Sequence, residues 1–290
     1  MMQLVYLVFG PNAANHTQAY FSILTFLRQS AALSGITVVT DRPDFYARLA
    51  GQVRLLPVDA ALLREWEGQH QFFWRVKIKA LEAVAAACPG QALLYLDSDT
   101  FLGGRAELLT QALAANTALM HEPEGPLAAL PSKTERLMWQ QLQRQPWEGI
   151  TLTGKHLMWN AGVVGVPAQR TAAAIGLALA LCDAWCAAGV TRRLIEQLAL
   201  SVALAETGPL AAAGASIGHY WSAKPEWNQP ITAFLLDSFL HNRSVEAEVA
   251  ALAGFNFGAQ PVKQRVKNTR GRLESLAQKL FPNQQQVFWQ

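Results

Sequence analysis

Apolar positions recur along this chain in short unbroken runs and in helical spacing, and the first sixty residues already set the architecture. Residues 4–9 form an apolar run closed by Gly10-Pro11-Asn12, which predicts a buried strand and then a loop over residues 10–16. Thr17 can cap a helix running to about residue 33, with Tyr20, Ile23, Leu24 and Leu27 at helical spacing. Gly35 ends it, and residues 36–40 read as a second strand. Asp41 and Asp44 follow in a turn at that strand's carboxyl end, and residues 52–58 read as a third strand. Two βα units in succession make a right-handed parallel arrangement the default.

Residues 69–87 open on Phe72, Phe73 and Trp74 and continue as a helix into an apolar strand at residues 93–96. A helix near residues 106–115 and a strand at 118–121 come next. Residues 125–154, broken by Pro126, Pro131 and Pro146, read as an irregular binding loop or lid. Residues 156–166 read as a strand, followed by helices to about residue 188 and over residues 191–206. A last short strand is expected at residues 216–221, with helices near 231–241 and 244–252. The expected fold is one α/β domain over residues 1–258, with a mostly parallel central sheet flanked by helices. A basic helical tail follows at residues 259–290.

Composition agrees with a compact chain: 51% of the 290 residues are hydrophobic and 16% charged. A net charge of +3 is too small to point to nucleic acid as the main partner. Cys88, Cys182 and Cys186 cannot build a disulfide framework, and the last two, four apart on a helix, read as core. Residues 4–9 have no preceding positive charge and read as a strand, not a signal peptide. The apolar window 171–188 is interrupted by Gly176, Asp183 and two cysteines and reads as a buried helix. A reducing, cytoplasmic location is expected.

The chemistry concentrates at the end of the strand at residues 93–96, in Leu96-Asp97-Ser98-Asp99-Thr100. Residues i and i+2 of extended chain point to one side, so Asp97 and Asp99 can present oxygens to one spot beyond the strand, where open α/β sheets bind ligands. Two close carboxylates repel unless a cation sits between them, and hard oxygens suit Mg²⁺ or Mn²⁺. Arg75 and Lys79 share a helix face upstream and read either as diphosphate ligands or as a solvated basic face.

Three further pieces follow in order: Trp159-Asn160-Ala161-Gly162-Val163-Val164, then Glu196-Gln197, then His219-Tyr220-Trp221-Ser222-Ala223-Lys224-Pro225-Glu226-Trp227. With the Asp-x-Asp strand, this order resembles the family 8 type of retaining glycosyltransferases, the glycogenin and lipopolysaccharide galactosyltransferase group. The resemblance spans roughly residues 4–227. It departs from the family in three places. Lys224 follows His219 by five residues where the family has six, with Ser222 at the usual glycine position. Glu226 separates Pro225 from Trp227. The acidic-Gln pair is Glu-Gln where Asp-Gln is commoner.

The resemblance implies the glycosyltransferase A-type, Rossmann-like fold and a transfer from a nucleotide-sugar donor, a UDP-sugar by expectation, to a glycan, lipid or protein acceptor with retention. It implies Asp97, Asp99 and His219 as ligands of Mn²⁺ or Mg²⁺, the imidazole favouring Mn²⁺, and Lys224 as a point charge on the leaving diphosphate. Asn160, Ala161 and Gly162 are expected beside the donor sugar, the glycine leaving room for its ring. Ser98 is grouped with the donor contacts. Glu196 or Gln197 is expected on the sugar's other face, stabilising positive charge at the anomeric carbon. Phe9, Gly10 and Asp41 are placed against the nucleoside by topology alone. Trp139 and Trp147 suit either packing or stacking on an acceptor.

Two other functions fit parts of the pattern. A sugar-phosphate nucleotidyltransferase has a related metal site but carries a basic, Gly-rich loop after strand one, and residues 10–16 contain no Lys or Arg. A non-catalytic nucleotide- or carbohydrate-binding protein accommodates the altered Lys-Pro segment. The tail places Lys263, Arg265, Lys267, Arg270, Arg272 and Lys279 among Val262, Val266, Leu273, Leu276 and Leu280, which outlines a cationic amphipathic helix. Such a helix either packs on the domain or touches an anionic membrane.

Overall fold

The computed structural model describes residues 1–263 together with Leu273 and Leu276. In chain order it holds β1 (Met2–Val8), α1 (Ala13–Leu27), β2 (Leu33–Thr40), β3 (Arg54–Pro57), α2 (Ala60–Trp66), α3 (Arg75–Ala87), β4 (Ala92–Leu96), β5 (Thr100–Leu102) and α4 (Ala106–Ala114). Then come β6 (Ala118–Met120), β7 (Pro123–Pro126), α5 (Lys133–Leu142), β8 (Leu157–Trp159), β9 (Val163–Val166), α6 (Thr171–Ala187), α7 (Ile195–Glu206), β10 (Leu210–Ala212), β11 (Ile217–His219), α8 (Lys224–Leu240) and α9 (Val245–Ala251).

Seven strands form one sheet in the order β10-β6-β9-β4-β1-β2-β3. All neighbours run parallel except β9, which is antiparallel to both β4 and β6. This is the expected mostly parallel sheet. Strands buried on both faces read as continuous apolar runs, and β1 and β4 divide theirs between two cores. Leu4, Tyr6, Leu94 and Leu96 pack with Phe21 of α1 and Trp227 of α8. Val5, Leu93 and Tyr95 pack on the other side with α3, α6 and α7 through Ile78, Leu181 and Leu198. By composition, residues 168–187 are long and apolar enough to cross a membrane. In this fold α6 buries Ile175, Leu181, Cys182 and Trp185 and packs on α3 and α7.

Several expected boundaries move. The first helix starts at Ala13, because the Asn12 side chain accepts from the Ala14 amide, and it stops at Leu27. Thr17 lies inside it and turns its hydroxyl back to the Ala14 carbonyl. Residues 125–154 are irregular only in part: α5 starts at a Ser132 cap and β7 pairs with β8, while residues 143–154 form neither helix nor strand beyond an isolated bridge between Trp147 and Ile150. Trp147 is buried and donates to the Leu142 carbonyl at 3.0 Å, so its indole serves packing and not ligand stacking. The strand expected at residues 156–166 is two strands, β8 and β9, separated by Asn160-Ala161-Gly162. The cationic tail lies outside the described residues, apart from Lys263, which pairs with Glu122, and the exposed Leu273 and Leu276.

Candidate active site at the carboxyl end of β4

A cleft of about 510 Å³ opens where β1 and β4 end. Its wall includes Phe9, Asp97, Ser98, Asp99, Asn160, Gly162, Glu196, Gln197, His219 and Lys224. Four segments far apart in sequence meet here because the sheet and one small ribbon draw them in. Antiparallel pairing of β9 with β4 sets the Gly162 carbonyl to accept from the Asp97 amide at 2.8 Å. The β5–β11 ribbon places Thr100 opposite His219, and the Tyr220 amide donates to the Asp99 carbonyl at 3.0 Å.

The two aspartates are brought together by a turn, not by strand alternation. The strand ends at Leu96 and Asp97–Thr100 turns the chain into β5. Asp97 continues in phase with Tyr95 and meets the Tyr95 hydroxyl at 2.9 Å and Lys77 Nζ at 3.3 Å. Asp99 has different partners, with Lys224 Nζ at 3.0 Å and His219 Nε2 at 3.5 Å. Burial pushes the Asp99 carboxyl up, but His219 in its protonated form and Lys224 outweigh it and hold the group well below the usual carboxylate range.

His219 is the best-defined part of the site. Its Nδ1 lies 3.0 Å from Asn160 Oδ1, an amide oxygen that also accepts from the Gly162 amide at 3.0 Å. An oxygen there assigns the ring proton to Nδ1 and leaves the Nε2 lone pair pointing into the site. That buried Nε2 has no hydrogen-bond partner among the described residues. Ligand atoms of Asp97, Asp99 and His219 all lie within 4.8 Å of one another. An orphaned imidazole lone pair between two carboxylates is a donor set that fits a divalent cation, and the Asn160 contact is the outer-shell support such a histidine needs.

Gly162 makes this possible, for a reason other than the one expected. A Cβ on it would meet His219 Cε1 at 2.0 Å and Nδ1 at 2.4 Å. The space the missing side chain leaves is filled by the imidazole, not kept for a sugar ring. Ala161 is buried and lies behind the cleft wall, its carbonyl accepting from Lys77 at 3.1 Å.

The sequence reading missed Lys77. Arg75 and Lys79 point elsewhere: Arg75 makes a two-pronged ion pair with Asp183 at 2.7 and 2.9 Å and donates to the Trp66 carbonyl, while Lys79 pairs with Glu82. Neither lines the cleft. Lys77, roughly opposite them around the helix, enters the site and lies 3.0 Å from Glu196 Oε1 as well as 3.3 Å from Asp97. Burial opposes its charge, and the two carboxylates outweigh burial and hold the ammonium above the ordinary lysine range. Burial raises the Glu196 carboxyl, with Lys77 pulling it back. Lys77 therefore ties the aspartate turn to α7.

Gln197 reaches the Ala161 amide and Glu124, and Glu124 also accepts from Asn160 at 3.3 Å. Ser98 donates to Gln18 at 3.3 Å. Gly10 and Asp41 are engaged with each other: the Gly10 amide donates to both Asp41 carboxylate oxygens at 3.1 Å, joining the ends of β1 and β2, and neither residue lines the cleft. The altered spacing before Lys224 does not keep it from the site, because α8 starts at Lys224 with Pro225 in its first turn. Trp227, one turn on, is buried and stacks on Tyr220 at 4.6 Å. Phe73, Trp74, Arg193 and Trp221 also line the cleft and had no signal beyond residue type.

Fold and site together define an α/β protein with two carboxylates and an imidazole gathered at the carboxyl end of a central strand. No protein-family profile matches the chain, and no curated protein matches its sequence. Solved structures that resemble it include glycosyltransferases. Mouse xyloside xylosyltransferase 1 in its apo form is 14% identical, with a TM-score of 0.47 over 73% of this chain and 84% of that one. The galactosyltransferase LgtC, in complex with donor and acceptor sugar analogues, is 15% identical, with a TM-score of 0.44 over 69% and 70%. An active-site mutant of LgtC gives 16% identity and 0.44 over 73% and 72%. At such identities and TM-scores these likenesses carry no weight for activity.

Proposed function

We propose that this protein is a metal-dependent glycosyltransferase that moves a sugar from a nucleotide-sugar donor, a UDP-sugar in our reading, to an acceptor with retention of configuration. The observation that carries the proposal is the buried His219 Nε2, without a hydrogen-bond partner among the described residues, beside Asp97 and Asp99. In this reading the three residues hold Mn²⁺ or Mg²⁺, which stabilises as a Lewis acid the charge that develops on the leaving diphosphate. Lys224, next to Asp99 and part-exposed, supplies a positive charge to the same phosphates.

The chain's own residues do the positioning. Asn160 fixes the His219 ring, and Gly162 gives that ring its seat. Lys77 orients the Asp97 and Glu196 carboxylates toward one cleft. Glu196, paired with Lys77, faces the reacting carbon and stabilises its positive charge as the bond to the diphosphate breaks. Gln197, braced by Glu124, binds sugar hydroxyls from the same side. Incubating the purified protein with several nucleotide sugars and Mn²⁺ tests the proposal. Slow release of nucleoside diphosphate that EDTA stops is expected. Release of pyrophosphate from a nucleoside triphosphate and a sugar phosphate would instead indicate a nucleotidyltransferase, and binding without turnover a non-catalytic relative.

A further inference from the structure

The cleft wall carries three cations, and two of them are matched by protein carboxylates. Lys77 is shared by Asp97 and Glu196, and Lys224 pairs with Asp99. Arg193 is different: it is exposed, lines the same cleft, and has no ion-pair or hydrogen-bond partner among the described residues.

Its setting is built. The neighbouring Arg192 donates to the His70 and Gln71 carbonyls and sits 5.6 Å above the Phe72 ring. That contact ties the segment before α7 to the segment before α3. On the tied segment Phe73 and Trp74 stay about half exposed, at 46% and 47%, and form an edge-on pair 4.9 Å apart. A guanidinium unpaired among the described residues, in one cleft with exposed aromatic rings, suits a ligand with an apolar ring face and an anionic group, because the planar fork of Arg matches carboxylate and phosphate.

We propose that the acceptor carries a carboxylate or phosphate on its sugar and that Arg193 binds that anion. The inference rests on the transferase reading above. The donor also carries phosphate, but Lys224 and the Asp97–Asp99–His219 cluster already provide for it. That leaves Arg193, three residues before Glu196 on the same cleft wall, as a cation committed neither to a carboxylate of the described residues nor, in this reading, to the donor.

The test uses the full chain with Mn²⁺ and UDP, titrated with glucose, galactose and mannose, with their uronic acids and with their 6-phosphates. At least one anionic probe is expected to bind about tenfold or more tightly than its neutral parent. Arg193→Ala should erase that preference while leaving UDP affinity unchanged, and Arg193→Lys should keep part of it. Anions that bind no better than neutral sugars overturn the inference while UDP binding stands. A loss of UDP affinity in Arg193→Ala, with the acceptor preference intact, overturns it in favour of donor phosphate. If the wild-type protein binds no UDP, the transferase reading fails and takes this inference with it.

Discussion

Replacing Gly162 by alanine gives the sharpest structural test of how the site is held together. The added Cβ would stand 2.0, 2.4 and 2.7 Å from His219 Cε1, Nδ1 and Nε2, and real Cβ contacts of that kind do not occur. The backbone at Gly162 is not left-handed, so the cost comes from the ring alone. Overpacking of this kind costs about 1–3 kcal/mol. Moving the ring also breaks its bond to Asn160, and a buried polar group left unpaired adds about 1–3 kcal/mol. We expect Gly162→Ala to lose about 2–6 kcal/mol in urea unfolding and to weaken Mn²⁺-dependent UDP binding at least about tenfold, as outer-shell disruption of metal histidines does. The control is His219→Ala, which empties the space the Cβ needs. In that background the second substitution should cost little, so the double-mutant cycle should show a coupling close to the whole cost of Gly162→Ala, about 2–6 kcal/mol. Additive costs, or a Gly162→Ala protein with wild-type stability and UDP affinity, would refute the reasoning.

Lys77→Met leaves the buried Glu196 carboxylate without its cation and should destabilise the protein by about 3 kcal/mol while abolishing turnover; urea unfolding and a diphosphate-release assay check both. Arg75→Ala should cost only about 1 kcal/mol, since Asp183 is 41% exposed and solvent screens the pair, and UDP affinity should stay within twofold or so of wild type; a tenfold fall would return Arg75 to the donor site. Burial, with His219 beside it, lowers His121 to about 4 against about 6.5 in the unfolded chain. The unfolded state therefore takes up the proton first, and stability should fall as pH drops from about 6.5 to 4, by up to about 3 kcal/mol. His121→Asn should flatten that slope in urea titrations, and an unchanged slope would contradict the assignment.

Much of the fold was legible because β1 and β4 are continuous apolar runs with turn residues at their ends, a signal that survives any error in helix boundaries. The α5 helix was not legible because Pro126 and Pro131 suggested irregular chain, while the decisive Ser132 cap is a single residue. At the site, Asp97, Asp99, Asn160, Gly162, Glu196 and His219 converge as their order in the chain suggested. The reasons differ from those the sequence offers. A two-residue offset on α3 separates Arg75 and Lys79, which turn outward, from Lys77, which turns in; helical spacing gives faces but not which face meets the sheet. Gly162 reads as small in sequence, yet only three-dimensional contact tells whether a ligand ring or His219 uses the space. Asp41 looked like a nucleoside contact from its place at a strand end, and it holds Gly10 instead.

The central claim is that Asp97, Asp99 and His219 form one cation site that binds the donor's diphosphate. Calorimetric titration of UDP into the wild-type chain with Mn²⁺, with EDTA, and into Asp99→Asn with Mn²⁺ tests it most directly. The substitution removes one charge from the cluster at a residue only 3% exposed, with nearly the same shape. Tight UDP binding only in the first titration, with the Asp99→Asn protein unfolding in urea as a cooperative folded chain, is the predicted result. UDP affinity that is the same in all three titrations would contradict the account.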